Sequence, residues 1–268
     1  MDEIVLGVIP ARWASSRFPG KPLAEIAGKP MIQWVWERAA ESETLDRLLV
    51  ATDDERIYRA VESFGGEAMM TPGDIRSGSD RVAWVAQRLP QYGIIANIQG
   101  DEPLLEAWVL DTAVRTIKDD ASAEVATLAR VVTDPGELDN VNTARVVLDN
   151  NGYALYFSRA VIPHCRDIPD RSKWIQAHPF YDQIGLYVYR RRALLQFASL
   201  PPSSLEGVEK LEQLRLLQNG VRIKVAVVDF RPVCVDTPAD LEAVKAIVEH
   251  KRQGVVEDHG MQERIGSS

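Results

Sequence analysis

Ile4-Val5-Leu6-Gly7-Val8-Ile9-Pro10 is an apolar run without a charge, short and rich in β-branched residues. A strand half exposed to water would alternate polar and apolar residues. One buried on both faces of a parallel sheet has no reason to, so the run predicts a central parallel strand. Leu48–Ala51 and Ile94–Ile98 read the same way, and Glu67–Thr71 reads as a shorter strand. Between them lie amphipathic stretches at Met31–Ala40, Glu55–Phe64 and Ser79–Arg88, the second closed by Gly65-Gly66 as a helix stop. Strands alternating with helices imply βαβ units, hence an α/β fold with a Rossmann-like, mostly parallel central sheet flanked by helices.

The rhythm changes after about Asp120. Val125–Val132, Thr143–Leu148, Tyr153–Ser158 and Ile184–Tyr189 read as strands with few helices between them, and Asp149-Asn150-Asn151-Gly152 is a strong hairpin turn. These predict a smaller antiparallel lobe, contributed by residues from about 120 to 200 and lying across one edge of the sheet. Leu205–Asn219 reads as one helix stopped by Gly220, Ile223–Val228 as a buried strand and Pro238–His250 as a last helix. Residues 1–252 then make one domain, and the polar tail 253–268 is expected to fray.

Of 268 residues, 46% are hydrophobic and 26% charged, enough apolar content for a substantial core. Thirty-one Lys and Arg against 39 Asp and Glu leave a net charge of −8, the wrong sign for a nonspecific nucleic-acid binder. No apolar run approaches the ~20 residues that span a bilayer, and no leader-like segment opens the chain, so neither membrane nor export is expected. Cys165 and Cys234 are far apart and form no CxxC pair, which predicts reduced core thiols and a cytoplasmic setting. His164 beside Cys165 lacks the second ligand pair that a metal site would need.

The first strand runs straight into Ala11-Arg12-Trp13-Ala14-Ser15-Ser16-Arg17-Phe18-Pro19-Gly20-Lys21-Pro22-Leu23. Ligands of open α/β sheets bind beyond the carboxyl ends of strands, and three cations among small residues there suit an anion. The segment is not a Walker A loop, because Pro22 follows Gly20-Lys21. Asp101 closes the strand at Ile94–Ile98, and Asp236 follows the strand at Ile223–Val228, so both could reach one sheet edge. Two carboxylates beside phosphates suit Mg²⁺, which binds few protein oxygens. Helix capping is the alternative for Asp236, which precedes Thr237-Pro238, and for Ser77, which precedes Gly78-Ser79.

Taken in order, this loop, Gly28-Lys29-Pro30-Met31-Ile32, Ala51-Thr52-Asp53-Asp54, Ser77-Gly78-Ser79-Asp80-Arg81, Gln99-Gly100-Asp101-Glu102-Pro103, Tyr153-Ala154-Leu155-Tyr156-Phe157-Ser158-Arg159, Leu211-Glu212-Gln213-Leu214-Arg215 and Val235-Asp236-Thr237-Pro238 resemble the sugar-acid cytidylyltransferases over about residues 4–248. The resemblance implies transfer of CMP from CTP to the anomeric hydroxyl of an acidic sugar, 3-deoxy-D-manno-octulosonate (KDO), with pyrophosphate leaving. It implies Mg²⁺ on Asp101 and Asp236, and Arg12 and Lys21 neutralising the phosphates. It further implies nucleotide contacts from Ala11, Ser77 and Gln99, and sugar contacts from Arg17, Arg159, Gln183, Tyr187, Glu212 and Gln213. On a single helix Glu209, Glu212 and Gln213 would share one side. A homodimer built on the antiparallel lobe and a role in lipopolysaccharide synthesis are implied as well. The family usually carries histidine where this chain has Gln183, which keeps another acidic sugar (an amino-KDO or a sialic acid) in view. A glycosyltransferase of similar fold is the more distant alternative.

Overall fold

β1 (Val5–Ala11) is buried along nearly its whole length, because it lies between two parallel neighbours in the middle of the sheet. The computed structural model describes residues 3–14, 18–75 and 77–265, with side chains through His250 and at Arg252. In chain order the elements are a small hairpin of β2 (Glu25–Ile26) and β3 (Lys29–Pro30), α1 (Met31–Ala40), β4 (Arg47–Thr52), α2 (Glu55–Ser63), β5 (Ala68–Met70), α3 (Gly78–Arg88), β6 (Ile94–Asn97) and α4 (Ala107–Lys118). There follow β7 (Val125–Val131), β8 (Arg145–Leu148), β9 (Ala154–Ser158), α5 (Trp174–Ala177) and β10 (Tyr181–Arg190). The chain ends with α6 (Arg191–Ser199), α7 (Ser204–Glu209), α8 (Gln213–Gln218), β11 (Ile223–Val227) and α9 (Pro238–Ile265).

The main sheet has the order β11-β7-β10-β6-β1-β4-β5. Only β10 runs against the rest of that path, pairing antiparallel with both β6 and β7. Side chains of β1 alternate between two cores. Val5 and Ile9 face Val35 of α1, Val61 of α2 and Val109 and Val114 of α4, whereas Leu6 and Val8 face Val82 and Val85 of α3, Phe197 of α6 and Leu214 of α8. Full burial of one such side chain is worth about 1.5–3 kcal/mol, so the sheet is the rigid element on which the loops at its ends are mounted.

The mostly parallel α/β sheet with an antiparallel extension is the fold expected, but the boundary of the extension moves. β7 and β10 belong to the main sheet, and the extension proper is the β8–β9 hairpin grafted onto Tyr181 and Asp182 at the start of β10. The Asp149–Gly152 turn closes it, with Gly152 at φ +75 donating to the Asp149 carbonyl at 3.0 Å. The reason is that α4 and α6, absent from the sequence reading, cover both faces around β10 and make it central. The expected helix at Leu205–Asn219 is two helices, α7 and α8, broken at Lys210, which adopts φ +56. The break follows from a capping box on α7 (Ser203 with Glu206) and from Arg215, which folds back in a two-pronged pair onto the same Glu206. α9 continues to Ile265 rather than ending at His250, through a stretch whose Glu, Gln, Met and Arg residues favour helix. The two cysteines are not core thiols: Cys165 is half-buried and Cys234 exposed.

Candidate active site

Three loops converge where β1 and β6 end and where the chain leaves β11. Gly100 makes the closest approach: a Cβ there would lie 2.9 Å from the Pro10 carbonyl oxygen, so only glycine lets the end of β6 lie against the end of β1. Asp101 follows, and its carbonyl accepts from the Val235 amide at 2.9 Å, which ties the segment carrying Asp236 to the end of β6. Lys21 reaches across from the first loop. Its Nζ lies 2.7 Å from Asp101 Oδ2, 2.9 Å from the Val235 carbonyl and 3.6 Å from Asp236 Oδ1. The two aspartates thus share one cation.

Asp236 is available for this because another residue caps the last helix. Thr237 Oγ1 accepts from the Asp240 amide at 3.3 Å, while Asp240 reaches back to the amides of Asp236 and Thr237 at 3.0 and 2.8 Å. The reciprocal arrangement resembles a capping box. Among the described residues no group of three or more His, Cys, Asp or Glu could hold a metal ion. Two carboxylates brought to one point by an ammonium form an all-oxygen set that fits Mg²⁺ bound chiefly by phosphates and water.

Sequence reading missed Glu102. It is only 4% exposed, next to Asp101, and accepts a long hydrogen bond from the Cys234 thiol at 3.6 Å. Burial, reinforced by the charge of Asp101 and opposed by the thiol, pushes its carboxyl up to about 7. A carboxyl whose folded value exceeds its unfolded one, near 4.5, favours folding most below the unfolded value, and that advantage is lost as pH rises through about 7. A shift of this size corresponds to about 3 kcal/mol. In EDTA, Glu102→Gln is therefore expected to gain stability relative to wild type between pH 5 and pH 8. Urea melts at both values check it; a difference independent of pH would contradict it.

The remaining predicted residues fall into two groups. Ala11 ends β1 and is buried, Arg12 follows it and is exposed, and Gln99, two residues past β6, has its side chain toward Gly185 of β10. Ser77 is the N-cap of α3, accepting from the Asp80 amide at 3.0 Å and donating to its carboxylate at 2.9 Å. Gln183, Tyr187 and Gln213 do meet: Gln183 Nε2 donates to Tyr187 Oη at 2.5 Å, and Gln213 Nε2 donates to Gln183 Oε1 at 2.8 Å. A bulge between Ile184 and Tyr187, held by Thr127 Oγ1 donating to the carbonyls of Ile184 and Leu186, shapes this face.

Glu212 accepts from Ser79 Oγ at 2.8 Å, which bridges the start of α3 to α8, and desolvation raises its carboxyl. The broken helix separates Glu209 from this pair. Its carboxylate instead accepts from Ser158 Oγ at 2.6 Å and the Arg159 amide at 2.9 Å. Arg17 lies outside the described residues. Arg159 spends its guanidinium on the carbonyls of Glu209, Val141, Asn142 and Lys210, stapling the 141–142 loop to the α7–α8 corner. Asn97, unnoticed in the sequence, sits across from Tyr187, is 3% exposed, and has an Oδ1 with no hydrogen-bond partner. A lone Asn ending the apolar run Ile94-Ile95-Ala96 was the available signal. Beside Gln183, three arginines (Arg130, Arg145 and Arg231) and two carboxylates (Glu137 and Asp182) form an ion network that links β7, β8 and β10.

A family model described as cytidylyltransferase matches residues 6–223. The 3-deoxy-manno-octulosonate cytidylyltransferase of Geotalea uraniireducens is 48% identical over 244 residues, covering 90% of this chain and 97% of its own. That of Leptospira biflexa is 46% identical over 256 residues, covering 96% and 100%. A solved CMP:2-keto-3-deoxy-manno-octonic acid synthetase, complexed with CTP, superposes with a TM-score of 0.86 at 40% identity, over 92% of this chain and 99% of the other. A family model over most of the chain, relatives 46–48% identical over at least nine-tenths of it and a synthetase that superposes this closely make the chain a nucleotidyltransferase, and it belongs to the 3-deoxy-manno-octulosonate cytidylyltransferase family.

Proposed function

We propose that the protein transfers CMP from CTP to the anomeric hydroxyl of KDO, releasing pyrophosphate and activating the sugar for lipopolysaccharide synthesis. The observation that carries the reading is the Lys21 ammonium reaching both Asp101 and Asp236, on a chain so closely similar to a synthetase solved with CTP. In the proposed reaction the anomeric oxygen attacks the α-phosphorus in line. The new P–O bond forms as the bond to the β-phosphate oxygen breaks, and the hydroxyl proton passes to water. Arg12 and Lys21 offset charge on the transferred and departing phosphates. Asp101 and Asp236 would hold Mg²⁺, which supplies Lewis-acid polarisation of the phosphate.

The cluster of Gln183, Tyr187, Glu212 and Gln213, with the unpaired Asn97 Oδ1 beside it, offers amide, phenol and carboxylate groups to sugar hydroxyls. Arg17 is proposed for the sugar carboxylate; Arg159 would join it only by releasing carbonyls it now binds. A homodimer through the β8–β9 lobe and a cytoplasmic setting complete the proposal. Among the described residues no helix is long and apolar enough to cross a membrane. Pyrophosphate release, followed with CTP, Mg²⁺ and a panel of KDO, amino-KDO and sialic acid, tests the reading. KDO is expected to be the best acceptor. Preference for another sugar would move the acceptor, and no release with any of them would end the reading.

A further inference from the structure

We propose that Arg56, at the start of α2 and in contact with none of the groups above, is a positioning residue that sets Lys21 through Trp13 and Gly20. This rests on the cytidylyltransferase reading. The first loop is closed at its neck: the Gly20 amide donates to the Trp13 carbonyl at 3.0 Å, and the outer rim of the Trp13 ring lies against Gly20. A Cβ at Gly20 would come within 2.8, 3.0 and 3.2 Å of three of its ring carbons. Gly20 adopts φ +74, and its carbonyl accepts from Leu23 at 2.9 Å, starting the short 3₁₀ turn Lys21–Leu23. The position of Trp13 therefore fixes where that turn begins, and with it the root of the Lys21 side chain.

Arg56 stacks on the ring. Its guanidinium carbon stands 3.3 Å from the Trp13 ring centroid. The guanidinium is oriented by Asp54, which caps α2 and accepts from Arg56 Nε at 2.9 Å, from its terminal nitrogen at 2.7 Å and from its amide at 2.9 Å. The indole thus touches both a pinned cation and the loop glycine. The Arg56 side chain is 56% exposed, so its loss removes this contact and little core. Nearby, Asp53 holds the buried Arg81 of α3 at 2.8 Å, so consecutive aspartates at the end of β4 brace the loops on either side.

Steady-state kinetics and calorimetric CTP binding on wild type, Arg56→Ala, Arg56→Lys, Lys21→Ala and the double variant test this. Arg56→Ala is expected to lower kcat/KM for CTP about fivefold, the range of a surface cation–π contact, with KM for the sugar unchanged. Its thermal midpoint should stay within about 2 °C of wild type, as for an ordinary surface substitution. Arg56→Lys should not restore the loss, because an ammonium can neither stack flat nor take the two-pronged grip of Asp54. In the Lys21→Ala background, Arg56→Ala should change CTP affinity no further. Unchanged CTP kinetics, an equal loss without Lys21, or a loss matched by sugar KM and melting would each overturn the proposal. Wild type that releases no pyrophosphate would instead defeat the enzyme reading on which it stands.

Discussion

Asp101→Asn is expected to lower CTP turnover by at least about a thousandfold while leaving the fold in place, the scale on which a catalytic metal's charge stabilisation acts. Asparagine keeps the shape, and its carbonyl oxygen still accepts from Lys21, so the 2.7 Å contact can persist. The main-chain bond from Val235 to the Asp101 carbonyl is untouched as well. What disappears is one negative charge at the end of β6. Because the Lys21–Asp101 pair is partly exposed, the change in stability should be no more than about 1 kcal/mol. Pyrophosphate release across a Mg²⁺ titration, with a urea melt of the same preparation, separates the two effects. Turnover near wild type would remove Asp101 from the chemistry, and loss of the folded baseline would show that the charge serves the structure.

The residues behind this expectation were legible before any coordinates chiefly through the family resemblance, with support from position: Lys21 and Asp101 lie in the segments that follow the apolar strands β1 and β6, where α/β sheets carry their ligands. Lys21, Asp101 and Asp236 do come together, and Gln183, Tyr187 and Gln213 share hydrogen bonds. What sequence could not supply was long-range. The helices α4 and α6 follow strands without strong start signals, and missing them put β10 at an edge rather than in the centre. Lys210 is an ordinary residue in a backbone conformation that glycine usually takes, so nothing local announced the break that parts Glu209 from Glu212. The capping choice was local but ambiguous. Asp236 and Thr237 can each start a helix, and only the reach of Asp240 back to both amides assigns the cap to Thr237. Glu102 illustrates the same limit, since its adjacency to Asp101 is visible in the chain but its burial is not.

Lys21→Met should separate two consequences of removing one ammonium, and they carry opposite signs. Turnover is expected to fall about 10²–10³-fold, the usual cost of deleting a single preorganised donor to a charge that develops in the transition state. Lys21→Arg should not repair it. Nζ presents three donors to two carboxylates and the Val235 carbonyl, whereas a planar guanidinium is longer and directs its donors in one plane. Divalent-cation binding should move the other way. Asp101 and Asp236 are held near each other by backbone bonds as well as by Lys21, so the variant keeps the carboxylates together while removing the charge that opposes a second cation. At separations of ~4 Å in a nearly aqueous dielectric that charge is worth roughly 1 kcal/mol, so Mn²⁺ affinity without nucleotide should rise several-fold, to about tenfold. Calorimetry with Mn²⁺ and pyrophosphate release with CTP, on one preparation, read both. Weaker Mn²⁺ binding together with weaker turnover would show that Lys21 only props the aspartates in place, whereas tighter binding with lost turnover places its ammonium in the chemistry of the phosphates.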